Sequence, residues 1–250
     1  MALEKTDGAS YQKILIYVIL TVIFIRLFVS LYQWLKPRAM AWFLTKFAHS
    51  SNEAVGQIKS NVFASMKQIQ KENGELVVLE IGAGTGANFN FFPESSKVLA
   101  LEPNIHCVKY LQESASATSH VQLLNIIDGS IEDISAEVKD GSVDAVVGTY
   151  VLCSVNNTEA AMNEIKRVLK PNGKYYFVEH VRDEYYNSWT HIGQRLMHPI
   201  MKVLADCDCA KSTWTFIDRA GFKAVDYRQG EGSEKFPFFL RPHIYGCATK

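Results

Sequence analysis

Apolar residues fall along this chain in three patterns. The first is a continuous block: from Ile14 to Leu35, twenty-two residues carry a single charge, Arg26, close to the ~20 residues that a helix needs to cross a hydrocarbon core. The second is a helical stripe, Val55, Ile58, Val62, Met66 and Ile69, preceded by the capping-box signature Ser50-x-x-Glu53 and closed by Gly74. It predicts one amphipathic connector helix. The third is a series of short strand-type runs, Leu76–Ile81, Val121–Ile127, Val143–Thr149 and Tyr175–Val178, interleaved with helical runs. One helical run, Thr158 to Leu169, is stopped by Lys170-Pro171-Asn172-Gly173. Another, Trp189 to Leu204, sets Ile192, Leu196, Ile200 and Val203 at helical spacing.

The first block reads as a membrane segment, because it is apolar on all faces. A cleaved signal peptide fits less well: Ala39-Met40-Ala41 has the small-x-small form, but the stretch is too long and Lys36, Pro37 and Arg38 precede the cut. A mid-helix Arg costs roughly 2.5–3.5 kcal/mol on insertion scales. Two arrangements therefore stay open, a span and a helix lying in one leaflet with Tyr32, Trp34 and Trp42 as interfacial anchors. In both, the positive flank at Lys36 and Arg38 leaves the remaining chain on the cytoplasmic side.

The chemistry is concentrated after the first strand run. Glu80-x-Gly82-x-Gly84-x-Gly86 follows it, and Glu102 ends the next apolar run, the placement from which an acidic side chain reaches ribose hydroxyls at the carboxyl edge of an open α/β sheet. Gly82, Gly84 and Ala87 also satisfy the dinucleotide pattern. A pyrophosphate, however, wants backbone N–H groups and no carboxylate nearby. Glu80 favours a cofactor carrying an ammonium and a sulfonium.

Composition narrows the partners. Twenty-six basic residues against twenty-six acidic, with no arginine-rich stripe, give no electrostatic footprint for nucleic acid. The five cysteines, 107, 153, 207, 209 and 247, are odd in number and lack framework spacing, as expected for reduced thiols facing the cytosol. Cys207-x-Cys209 alone does not make a zinc site, so no metal is expected.

Glu80-x-Gly82-x-Gly84-x-Gly86, Asp140-Gly141-Ser142-Val143-Asp144 and Arg167-Val168-Leu169-Lys170-Pro171-Asn172-Gly173-Lys174 together resemble the ordered motifs of class I S-adenosylmethionine-dependent methyltransferases. Leu79 to Phe89, Val151-Leu152-Cys153-Ser154-Val155, Phe177-Val178-Glu179-His180-Val181 and Arg241-Pro242-His243-Ile244-Tyr245-Gly246 resemble the membrane-associated methyltransferase-like seven proteins, the thiol S-methyltransferases. One departure is Glu102-Pro103 where many relatives carry Asp-Pro, and either carboxylate can hold a ribose diol. The resemblance implies a Rossmann-like class I methyltransferase fold with a seven-stranded, mostly parallel sheet and an antiparallel last strand. The strands are then Leu76–Ile81, Lys97–Leu101, Val121–Ile126, Val143–Thr149, Lys174–Glu179, Phe222–Arg228 and Ile244–Thr249. The chain divides into an anchor (1–36), a helical connector (37–75) and the methyltransferase domain (76–250).

The resemblance further implies S-adenosylmethionine as cofactor and small or lipophilic thiols as acceptors, hydrogen sulfide and alkyl thiols among them, at the endoplasmic reticulum or lipid droplets. Two alternatives stand beside it, a lipid or quinone O- or C-methyltransferase and a non-enzymatic membrane protein that keeps the fold. Cofactor contacts are expected from Glu80, Gly82, Ala83, Gly84, Thr85, Gly86, Asn88, Glu102, Pro103, Asn104, Thr149 and Tyr150, and adenine contacts from Gly129, Ser130 and Ile131. Asn88 is expected to open a helix. A free thiol with a pKa near ~8.5 is a few per cent thiolate at neutral pH, so modest proton acceptance suffices, and His180 and His243 are the candidates. Cys153, Glu179, Ile192 and Leu196 are expected around the acceptor. The oligomeric state is open.

Overall fold

A computed structural model describes residues 8–250, and the chain divides into two compact units at Met40–Ala41. The apolar block lies in helix α1 (Gly8–Phe63). Its stretch Tyr11–Ala48 contains an 18-residue window of mean hydropathy 2.7 and is long and apolar enough to cross a membrane. Ile14, Tyr17, Phe24 and Phe28 are all exposed there, and Arg38 sits over the Trp34 ring at 4.1 Å.

In the second unit, strands β1 (Leu76–Ile81), β2 (Ser96–Leu101), β3 (Val121–Ile127), β4 (Val143–Thr149), β5 (Leu169–His180), β6 (Ala224–Glu231) and β7 (Pro242–Thr249) make one sheet in the order β3-β2-β1-β4-β5-β7-β6. The first five pair in parallel, and β7 runs antiparallel to both β5 and β6. This is the expected seven-stranded arrangement. The order reverses between β1 and β4, a switch point that opens a crevice at the carboxyl ends of the strands. Helices α2 (Met66–Asn73), α3 (Val108–Ala117), α4 (Thr158–Val168), α5 (Trp189–Ala205) and α6 (Thr213–Arg219) complete the unit.

The core forms two layers. Alternate residues of β1 separate between them, Leu79 and Ile81 into one and Leu76 and Val78 into the other, because side chains on a strand alternate faces. The first layer joins Met162 and Ile165 of α4, and the second joins Phe63 and Met66.

Two local expectations are corrected, and a third is met in an unexpected form. No helix starts at the capping box, since α1 runs through Ser50 and breaks only at 64–65 before α2, whose end at Gly74 adopts the left-handed conformation (φ 78°). The buried row of α1 is Ser51, Val55, Lys59 and Phe63, rotated from the expected stripe so that a lysine occupies a core position. The Pro-Asn-Gly stop lies within β5 as a bulge, where pairing with β4 jumps from Val143↔Leu169 to Ala145↔Lys174.

Candidate active site

The glycine loop is held in left-handed backbone that side chains resist. Gly82 has φ 60°, and a Cβ there would stand 2.6 Å from Val151 Cγ2. Gly86 has φ 77°, and a Cβ would meet Ser114 and Phe89 within 2.9 Å. The loop is fastened by Ala83 N–H donating to Leu101 O (3.1 Å) and by Asn52 of α1 donating to Ala87 O (2.8 Å). Asn88 follows, and the expected helix is instead a single 3₁₀ turn, Phe89–Phe91. Thr85 and Gly86 line a cleft of about 410 Å³ with Tyr110 and Ser114.

Glu102 leaves the end of β2 only 6% exposed. Its two oxygens accept from Gly84 N–H (2.7 Å) and Asn104 N–H (2.9 Å), so the carboxylate is aimed by backbone and keeps lone pairs for further donors. Burial raises its pKa against those two bonds. Pro103 is exposed beside it, and the Asn104 side chain is turned back to accept from His106 N–H (3.1 Å).

Glu80 is fully enclosed. Its Oε1 accepts from the Asn88 amide (2.7 Å), which also reaches Thr149 Oγ1 (3.0 Å), while Glu80 Oε2 and Asn88 Oδ1 are buried acceptors without a partner. Burial lifts the Glu80 carboxyl to about 7. Two orphaned acceptors side by side suit a cationic donor. Lys59 supplies charge nearby but donates to Asn52 Oδ1 (2.8 Å), and burial brings its ammonium down to about 8.

On the β2–β3 side a cleft of about 520 Å³ is lined by Glu102, Ile105, Leu123 and Asp128 among others. Gly129 borders Leu101. Ser130 is exposed and donates to Glu132, and Ile131 packs into the core. The expected adenine residues thus do not line this cleft, whereas Asp128 joins Glu102 in its wall.

The end of β4 carries Tyr150 with φ 58°, a strained position for a residue with a side chain. Its hydroxyl bonds His243 Nε2 (3.0 Å), and His243 Nδ1 lies 2.7 Å from Arg241 O. A carbonyl can only accept, so Nδ1 carries the proton and Nε2 accepts from the tyrosine. Burial holds His243 down at about 4, neutral at working pH. The Tyr150 ring stacks on His180 (5.7 Å between centroids) and meets Phe236 (6.1 Å).

Behind that stack, His180 Nε2 lies 3.0 Å from Cys207 Sγ, and Cys153 joins both. The hydrogen bond from Cys207 and the charge of His180 hold the Cys153 thiol well below its ordinary value. Burial alone would lower His180, but Cys153 and Glu179 outweigh it and raise it. Glu179 Oε1 accepts from Val151 and Leu152 N–H (3.1 and 3.2 Å), its Oε2 has no partner, and burial lifts its carboxyl to about 8. Ile192 and Leu196 do not join this group. They lie 40% and 69% exposed on α5, an outward apolar row rather than a closed pocket wall.

Lys59, Asp128 and Cys207 were not singled out as site residues. Lys59 follows Val55 by four positions, a spacing that marks the buried row. The meeting of Cys207 with Cys153, fifty-four positions apart, leaves no trace in local spacing.

Comparison with known proteins fits this geometry. The methyltransferase-domain family model matches residues 79–177. The human thiol S-methyltransferase TMT1A is 35% identical over 224 residues, covering 89% of this chain and 91% of its own. The human thiol S-methyltransferase TMT1B is 36% identical over 202 residues, covering 80% and 81%. A Thermotoga maritima S-adenosylmethionine-dependent methyltransferase, described as a possible histamine N-methyltransferase, aligns with a TM-score of 0.52 at 18% identity, over 84% of this chain and all of that one. The [4+2]-cyclase SpnF aligns at 0.54 and 15% identity, over 74% and 79%, so the likeness to solved structures speaks for the fold and not for the reaction. Similarity at this level along nearly the whole chain decides the family: the chain belongs to the thiol S-methyltransferases of the class I methyltransferase fold, with S-adenosylmethionine as cofactor.

Proposed function

We propose that this protein methylates small, lipophilic thiols on sulfur, alkyl thiols and hydrogen sulfide among them, at a cytosol-facing site tethered to the endoplasmic reticulum or lipid droplets. The observation that carries the reading is the pairing of a cofactor cradle with a buried thiol-handling group one strand end away, in a chain about 35% identical to thiol S-methyltransferases. Glu102 with Asn104 takes the ribose hydroxyls. Gly82, Ala83, Gly84, Thr85 and Gly86 give the close backbone approach, and the orphaned oxygens of Glu80 and Asn88, next to Thr149, receive the methionyl ammonium. Asp128, with Glu102 in the wall of the β2–β3 cleft, borders the adenine side, and Gly129, Ser130 and Ile131 continue the chain from it.

S-adenosylmethionine supplies an electrophilic methyl on a sulfonium. The chain's part is to align the acceptor sulfur, keep water out and dispose of the thiol proton. Attack of a thiolate on a sulfonium removes charge, so a site walled by Tyr150, Phe236 and His180 suits it. His243 acts through Tyr150, whose hydroxyl it fixes. Handling of the acceptor thiol falls to His180 with Cys153. The tether is the apolar stretch within α1, supported by the stacking of Arg38 on Trp34 in the manner of an interfacial anchor.

The test is an acceptor panel. Detergent-solubilised protein is given a small alkyl thiol, an alcohol and a phenol of matched size, and S-adenosylhomocysteine release is followed. Turnover confined to the thiol is expected. Turnover of the phenol alone would transfer the reading to a quinone-type acceptor.

A further inference from the structure

Among the described residues, one group of three potential metal donors converges: Cys153 Sγ, His180 Nε2 and Cys207 Sγ, all within 4.8 Å of one another. We propose that these three side chains bind a zinc-type thiophilic divalent cation, and that the fourth coordination position takes the acceptor thiol as thiolate. The second half rests on the thiol reading above.

Donor chemistry comes first. Two thiolates and an imidazole are the donors that borderline-soft Zn²⁺ prefers, and three protein ligands with one open position is the form of catalytic rather than structural zinc sites. Bond lengths of ~2.3 Å to sulfur and ~2.0 Å to nitrogen at tetrahedral angles require donor separations of roughly 3.5–3.8 Å. The histidine–Cys207 pair stands at 3.0 Å and the widest pair at no more than 4.8 Å, so an ion fits with shifts of about 1 Å.

The scaffold is built from three separate segments that are already tied together. Cys153 follows β4, His180 ends β5 and Cys207 follows α5, where Asp206 turns the chain with φ 53°. Asp208 N–H donates to Cys153 O (3.0 Å), locking the two cysteine segments to each other. Lys211 Nζ donates to Leu152 O and Val155 O (2.8 Å each), so its ammonium fixes the Cys153 turn. Cys209, the third thiol of this buried cluster, donates instead to Gln194 O (3.6 Å), which leaves the fourth position to an outside ligand.

An independent observation points to a cation. Glu179 is fully buried beside this group, and its Oε2 has no hydrogen-bond partner. A buried oxygen left without a donor is costly, and a divalent cation held by Cys153, His180 and Cys207 beside it offsets that cost. His180 then serves as a ligand. The acceptor thiol binds the ion, releases its proton to solvent and presents its sulfur as a bound thiolate, a step in which no electrons are exchanged.

The experiment is metal analysis of the full-length protein in detergent, purified without chelator, followed by cobalt substitution. About one zinc per chain is expected, reduced to under a tenth in Cys153→Ser and Cys207→Ser. Cys209→Ser, from the same cluster, is expected to keep the ion, and it controls for lost folding together with melting curves of all three. The cobalt form is expected to show thiolate charge-transfer absorption that changes on adding an alkyl thiol and not an alcohol, without cofactor present. Zinc-free protein that also takes up no cobalt, or a Cys153–Cys207 disulfide in freshly isolated protein, overturns the site. Cobalt bound with no response to thiol overturns the fourth-ligand half alone. A protein that keeps its zinc but turns over no thiol contradicts the proposed function and leaves the ion site standing.

Discussion

The two carboxylates of the proposed cofactor cradle are held in different ways. Glu102 is held by backbone N–H groups on both oxygens, so its position does not depend on a ligand. Removing it in Glu102→Ala takes away hydrogen bonds to a charged acceptor worth about 1.5–3 kcal/mol each. Affinity for S-adenosylmethionine is expected to fall by about a hundredfold or more, read by titration calorimetry. Glu80, by contrast, is poised to titrate. Its carboxyl stands at about 7 because burial opposes the charge, and a cationic ligand favours the ionised form. Below that value binding must therefore release a proton. Cofactor affinity is expected to rise as pH increases toward about 7 in the native protein and to stay flat in Glu80→Gln, whose profile also subtracts the ligand's own titration. At this scale the glycine turn was legible because left-handed backbone imposes its spacing, and Glu80 and Glu102 stand buried at the strand ends where the motif sets them. Lys59 and the pair Cys153–Cys207 were not legible, since their partners are brought together only by the fold.

Among the elements, the second-unit part of α1 shows how far hydrophobic pattern reaches. The helical period was readable, but a lysine on the core face hid the phase of the row Ser51, Val55, Lys59 and Phe63. The two buried positions should respond differently. Phe63→Ala removes a ring that packs against Phe92 and Tyr176, and a loss of roughly 3–5 kcal/mol is expected in denaturant unfolding. Lys59→Met replaces a desolvated ammonium by an apolar chain of similar length, and stability is expected to hold or rise while the Glu80 titration moves upward for want of its cationic neighbour. The capping box at Ser50 misled because α1 passes through it; sequence signals for a helix start are overridden when the preceding residues also continue the helix. In the same way the Pro-Asn-Gly stop ended α4 as expected, yet the chain re-entered pairing at once and made the stop a bulge. The apolar row on α5 was visible as a period, but spacing alone cannot say whether such a row faces in or out.

For the whole molecule, the two units have separable tasks. Unit two contains both core layers and every proposed site residue, whereas the described residues of unit one expose their apolar surface and enter neither layer. Replacing the apolar residues 14–35 with a polar linker is expected to move the protein from the membrane fraction to the soluble one in flotation assays, with cofactor affinity unchanged within about twofold. The topology was legible through the resemblance to class I methyltransferases, because the alternation of apolar runs and helical stripes alone indicates an α/β chain and not its strand order. The thiol acceptor was legible only through the family resemblance, since fold and cofactor motifs are shared by enzymes of many reactions. The central claim is methyl transfer to sulfur, and its most direct measurement uses methyl-labelled S-adenosylmethionine and a small alkyl thiol with the full-length protein, product followed by mass spectrometry. The labelled methyl thioether is expected with the native chain and is expected to be absent with Glu102→Ala. A native protein that binds the cofactor and yields no labelled thioether would contradict the account.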